Sequence, residues 1–210
     1  MRLSLFVVTA AIVSSTAAFA ADAPVGGAAD AFQLSYASNL NIGDSVVNLT
    51  NAGTVAGADP TGRICANVYT FDPAEELISC CSCMVTPNGL ESLSDQADLI
   101  GNTLTPGVPT SIVIKLVATL PALGTCNAGN GGLPFAAAQL APGLRAWGTS
   151  LHNDAASGAY QVTEKVFQTA VLSTSELHKL TSYCNFIQAI GSGFGICRSC
   201  RVGGLGASTK

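Results

Sequence analysis

Eight cysteines carry most of the chemistry this sequence offers: Cys65, Cys80, Cys81, Cys83, Cys126, Cys184, Cys197 and Cys200. The two C-x2-C pairs, Cys80 with Cys83 and Cys197 with Cys200, have the spacing of a tetrahedral thiolate site for zinc or an iron–sulfur cluster. The competing chemistry is oxidation to four disulfides, which an even count permits and which is the default outside the reducing cytosol. If residues 77–85 form a strand, Cys81 and Cys83 face one way and Cys80 the other, because side chains alternate along a strand. That alternation weighs against a metal shared by Cys80, Cys83, Cys197 and Cys200. It favours disulfides leaving one strand in two directions, although spacing alone does not select their partners.

Other reactive groupings are sparse. The chain has two histidines, His152 and His178, and no serine stands in a G-x-S-x-G elbow. His178 falls off the apolar side of a helical stretch, and His152 stands beside Asn153-Asp154 at the end of a strand-like run, so neither reads as half of a catalytic pair. Asp72, Glu75 and Glu76 have the residue types for glycoside cleavage or calcium binding, but Asp72-Pro73 marks the segment as a charged turn. Gly191-Ser192-Gly193-Phe194-Gly195 follows a helix instead of preceding one, so it is a connector and not a phosphate loop. Cys83-Met84 and Cys200-Arg201 both lack the histidine that would complete a c-type haem motif. No enzyme activity and no cofactor is expected.

Strand-like segments must position the cysteines. They run over Phe32–Ser38, Ser45–Leu49, Ile64–Phe71, Leu77–Val85, Leu99–Leu104, Ser111–Leu120, Leu144–Leu151 and Tyr160–Ala170, most of them parted by turn residues such as Asp59-Pro60-Thr61-Gly62 and Pro87-Asn88-Gly89. One helix is expected. Ser173 with Glu176 forms a capping box, Leu177, Leu180, Cys184, Ile187 and Ile190 make one apolar stripe, and Gly191 stands where a left-handed residue ends a helix. A last strand or ribbon is expected over Phe194–Arg201. The fold class is therefore mainly β: an antiparallel β-sandwich, immunoglobulin-like or jelly-roll-like, with one C-terminal α-helix and disulfide staples.

Composition narrows the setting. Of 210 residues only 10% are charged, against about 25% in an ordinary soluble domain, and 9 Lys+Arg oppose 13 Asp+Glu for a net charge of -4. The basic residues are too few to clamp nucleic acid, and 48% hydrophobic content excludes a disordered chain. Arg2, the apolar run Leu5 to Val13 and Ala18-Phe19-Ala20 read as an export signal, with a run too short for a spanning helix, which needs about 20 residues. The expected organisation is a signal over 1–20, a flexible lead-in over 21–31 and one domain over 32–210, secreted and free of the membrane once the signal is removed.

The stretch Ile64-Cys65-Ala66-Asn67-Val68-Tyr69-Thr70-Phe71-Asp72-Pro73, continuing through Glu76-Leu77-Ile78-Ser79-Cys80-Cys81-Ser82-Cys83, resembles a family of uncharacterised secreted bacterial proteins. The closing part, from the helix to Cys197-Arg198-Ser199-Cys200, is similar to the same group. The resemblance implies export and a shared cysteine framework, and it lends no activity.

The functional expectation comes from the surface. After residue 20 the chain holds 16 Ser, 16 Thr, 11 Asn and 22 Gly, so about a third of it is small, polar and uncharged. Ser111–Leu120 is apolar on both faces and carries a single Lys115; such a strand is either covered on both sides or pairs with another copy. The reading is a structural subunit that self-associates into an extracellular filament, sheet or matrix, through Phe32 and Leu34, Val46 and Val47, and Ile112, Ile114 and Leu116. Its partners are copies of itself. The alternative is a binding module for carbohydrate or a cell surface, for which Trp147, Tyr160 and Tyr183 are the aromatic candidates.

Overall fold

Strands that alternate apolar and polar residues need a second layer against which to bury one face. The computed structural model describes residues 22–54, 59–197 and 200–202; the expected export signal lies outside them. Among the described residues the strands are β1 (Phe32–Ala37), β2 (Gly43–Asn51), β3 (Ile64–Phe71), β4 (Leu77–Val85), β5 (Leu90–Ser94), β6 (Ile112–Thr119), β7 (Leu144–Asn153), β8 (Tyr160–Val166), β9 (Gln168–Thr169) and β10 (Arg201–Val202). The long helix α1 (Thr174–Ile190) stands between β9 and β10. The strands form two five-stranded sheets, β4-β3-β6-β1-β9 and β10-β5-β2-β7-β8, in which the paired strands run antiparallel.

The expected sandwich with one C-terminal helix is the observed architecture. Register puts Val68 opposite Leu116 and Ala66 opposite Ala118, and these residues, with Ile112 and Ile114, face Val47, Leu49, Leu93 and Leu144 of the other sheet in one buried core. Gln33 crosses between the layers, its Nε2 donating to the Leu144 carbonyl at 2.8 Å. The opposite face of β3 is buried too. Tyr69 donates its hydroxyl to the Ala128 carbonyl at 2.7 Å, and Lys115 of β6 pairs with Glu176 of α1 at 2.6 Å. The sheet containing β6 is therefore covered on one side by the second sheet and on the other by α1 and the 120–135 segment, which is why every residue of β3 is buried.

Several elements differ from expectation for local reasons. Leu90–Ser94 has too few apolar residues to announce a strand, yet it completes a ladder beside β2. Residues 95–99 form a single π-helical turn, capped by the Ser94 hydroxyl accepting from the Ala97 N–H at 2.9 Å, so the expected strand at 99–104 is absent. Tyr160–Ala170 breaks at Phe167, where the chain passes from the edge of one sheet to the edge of the other. The lead-in is anchored: Val25 N–H donates to Leu172 O at 2.7 Å, Thr174 N–H donates to Ala23 O at 3.0 Å, and the Asp22 carboxylate accepts from the Ser175 N–H.

Candidate functional site

β4 is the seam of the molecule. The disulfides are Cys65–Cys126, Cys80–Cys184, Cys81–Cys197 and Cys83–Cys200, with Cα separations of 5.4–5.8 Å, and no cysteine is free. Strand alternation sets their directions as the spacing predicts. Cys80 lies opposite Tyr69 on the helix side and is bonded to α1, while Cys81 and Cys83 lie opposite Val68 and Ala66 on the other face. The four cysteines of the two C-x2-C pairs therefore do not converge on a metal: Cys80 is committed to Cys184, and Cys83 and Cys200 to each other. Among the described residues no group of three or more His, Cys, Asp or Glu is placed to hold a metal ion.

The segment after α1 is a strap across the β4 edge. Cys80 N–H donates to Gly195 O at 2.9 Å and Cys197 N–H donates to Cys80 O at 3.2 Å, while Leu104 N–H meets Ile78 O at 2.9 Å. Gly195 is required there. Its φ of 75° lies in the left-handed region, and a Cβ would sit 2.9 Å from Ile187 Cγ2. Beyond Cys200 the strap joins the second sheet as β10 beside β5, closing that side of the sandwich.

The opposite side is open. β9 and β10 are two residues long, but β8 has seven, all exposed, and among the described strands only β7 pairs with it. Tyr160, Val162 and Val166 are 62%, 60% and 66% exposed; they share one face of β8 with Glu164. Where β8 ends, a cleft of about 520 Å3 is lined by Asp30, Gln33, Arg145, Trp147, Glu164, Lys165, Phe167 and neighbouring residues. Asp30 accepts from Arg145 and from the Gly143 N–H. Partial burial pushes its carboxyl up, but these donors outweigh that and hold it below the usual range.

The residues expected to mediate self-assembly serve this chain's own core. Phe32, Val46, Val47, Ile112, Ile114 and Leu116 are buried and Leu34 is half-buried. Their strands pair within the molecule, β6 between β3 and β1, and β2 between β5 and β7. Asp72 organises its turn by accepting from the Ala74 and Glu76 N–H groups, each at 2.9 Å. His178 is exposed, and His152 Nε2 lies 3.1 Å from the Ser38 carbonyl. Sequence reasoning missed the buried acids Glu91, Asp95 and Asp98, and it missed the Asp30–Arg145 pair, whose members stand 115 residues apart. Ile190, expected on the buried stripe of α1, is instead exposed at the end of the helix, where it joins the aromatic candidate Tyr183, and Phe186, which sequence reasoning passed over, in an apolar stripe on the outward side.

No protein-family model, curated protein or solved structure matches this chain. Function must therefore be read from the chemistry of the surfaces just described. Four disulfides place the working fold in oxidising surroundings, and among the described residues no helix is long and apolar enough to cross a membrane.

Proposed function

We propose that this protein is an exported structural subunit that self-associates outside the cytoplasm by pairing β8 of one copy with β8 of another. The observation that carries the reading is the asymmetry of the sheet edges. One side of the sandwich is closed by a disulfide-locked strap, while the other presents a seven-residue strand that, among the described strands, pairs only with β7. Unpaired N–H and C=O groups on such an edge are a template for another strand. Tyr160, Val162, Thr163 and Val166 favour extended backbone.

A pair of antiparallel β8 strands related by a two-fold axis through Thr163 keeps like faces together. It sets Tyr160 against Val166 of the second copy, an aromatic and β-branched pair of the kind that contributes roughly 0.2–1 kcal/mol. Two five-stranded sheets then become one. Growth beyond the pair needs a second self-complementary surface. The exposed stripe Tyr183, Phe186 and Ile190 on α1, which covers the other sheet, supplies it, and two different two-fold contacts per copy generate an open chain.

Sedimentation velocity on oxidised protein over a concentration series, followed by electron microscopy of the concentrated sample, tests the proposal. The expected result is a mass that doubles and then extends. Val162→Lys with Val166→Lys should hold the protein monomeric without lowering its melting temperature, since both side chains are exposed. A monomer at every concentration overturns the reading, as does a double variant that associates as well as the parent.

A further inference from the structure

We infer that the strap after α1 is a redox latch: a single dithiol opens both of its disulfides and bares the β4 edge, a property independent of β8 pairing. The four disulfides are not equally open to such an attack. Cys80 and Cys184 are each 0% exposed, which seals their bond from a reagent in the folded protein. Cys65 is buried and Cys126 half-buried, but the chain is held on both sides of Cys126, by the Ala122–Thr125 backbone pair and by the Tyr69 hydroxyl on the Ala128 carbonyl. A bond cut there leaves its two sulfurs in place to close again. The strap disulfides each offer one half-buried member, Cys81 and Cys200, and they lie beside one another. Cys81 and Cys83 stand two residues apart on one face of β4, a step of roughly 6.7 Å. Their partners Cys197 and Cys200 form a C-x2-C pair, the spacing of dithiol redox motifs.

That adjacency lets one reduction release both bonds. A thiolate of the dithiol attacks Cys200 Sγ and expels Cys83, which takes up a proton; the reagent's second thiol then closes its own disulfide and releases Cys200 as a thiolate. Cys200 Sγ attacks Cys197 Sγ, forming Cys197–Cys200 and expelling Cys81, which takes up the second proton. In balance, one dithiol is oxidised and one protein disulfide is lost. Cys81 and Cys83 remain as thiols on β4, and the strap carries its own disulfide. No covalent bond then ties the strap to β4. Among the described residues it keeps the hydrogen bonds of Gly195 and Cys197 with Cys80 and Asn102, those of the Asn102 amide to the Gly193 and Ile196 carbonyls, and the two-residue β10. Gly191 and Gly193, at φ 65° and 79° with open space where a Cβ would stand, give the chain a pivot between α1 and the strap. Departure of the strap frees the Cys80 N–H and C=O, so the β4 edge can pair with another strand.

The experiment treats the folded, oxidised protein with one molar equivalent of dithiothreitol, quenches with iodoacetamide and maps the peptides. Alkylation is expected on Cys81 and Cys83, with a new Cys197–Cys200 disulfide and with Cys65–Cys126 and Cys80–Cys184 intact. In the alkylated protein the Cys80 amide should exchange at least tenfold faster than in the parent, while the Leu180 and Cys184 amides of α1 are unchanged. Replacing Cys83 and Cys200 together by Ala removes the attacking thiol, so alkylation of Cys81 at the same dithiol concentration should fall at least fivefold. First labelling at Cys65, Cys126 or Cys184 overturns the inference, as does labelling of Cys197 and Cys200 in place of their mutual disulfide. It is equally overturned by a protein that stays oxidised until it is unfolded, by an unchanged Cys80 amide, or by undiminished Cys81 labelling in the double variant. The peptide map and amide exchange on the parent sequence keep the test valid if that variant does not fold. Every readout is covalent or local and is taken on dilute protein, so failure of the latch is distinguishable from failure of β8 pairing.

Discussion

Asp95 shows how a single buried group sets a limit on stability. Its carboxyl is buried, its Oδ1 has no hydrogen-bond partner, and burial together with the nearby Asp44 charge raises its pKa well above the ordinary 3.8. A carboxyl whose pKa is raised by folding favours the protonated native state. Its contribution is greatest below the unfolded value and is lost as pH rises toward the folded value. Asp95→Asn removes the titration while keeping the shape, so it should raise the melting temperature at neutral pH. The advantage should vanish below the ordinary carboxylate range. Thermal unfolding of both proteins across acid and neutral pH checks this; an equal melting temperature at neutral pH would show that the charge is compensated. Glu91, also buried and pushed upward by burial, acts in the same direction.

At the scale of elements, α1 is the best-determined piece. Ser173 caps it by accepting from the Glu176 N–H at 3.2 Å, and Gly191 ends it at φ 65°. A second cap comes from far away in sequence. The Asp22 carboxylate accepts from the Ser175 hydroxyl and N–H and from the Thr174 hydroxyl, and these bonds, led by that of the Ser175 hydroxyl, lower its pKa to about 2. A depressed carboxyl pKa means that the stabilisation is present above the unfolded value and is lost as pH falls through about 2. Asp22→Asn should therefore speed amide exchange in the first turn of α1 at neutral pH, with the difference from the parent gone in strong acid. Exchange rates at Thr174 to Leu177 check it. Unchanged rates at neutral pH would show that Ser173 suffices as the cap.

For the molecule as a whole, the chain repeatedly passes from one sheet to the other: β1 to β2, β2 to β3, β4 to β5, β5 to β6 and β6 to β7 all cross between layers. The core therefore forms from residues distant in sequence, a topology that folds in milliseconds to seconds. Covalent closure offsets part of the chain entropy involved. Cys80–Cys184 spans 104 residues and ties α1 to β4, and a loop of about 100 residues corresponds to about 4.7 kcal/mol in the chain-entropy model. Replacing Cys80 and Cys184 together by Ala should lower the denaturant-derived stability by roughly 2–5 kcal/mol. Urea unfolding of the purified variant measures it, and a loss under about 1 kcal/mol would mean that packing of Leu177, Leu180 and Ile187 alone holds the helix.

Local signals settled a good deal of this protein. The capping residues and apolar stripe located α1, strand-like runs parted by turn residues located β1 to β4 and β6 to β8, and alternation along β4 sent Cys80 and Cys81 in opposite directions. These features were legible because each depends on residues only a few positions apart. Tertiary structure alone decided which cysteines pair, because that depends on which strands become neighbours. It also decided that β6 is a covered central strand, that β8 is the open edge, and that Asp30, Arg145 and Trp147 share a cleft. Every one of those outcomes is a meeting of segments far apart in the chain, set by how two sheets and a helix share one core, and nothing in the local pattern of any one segment records it.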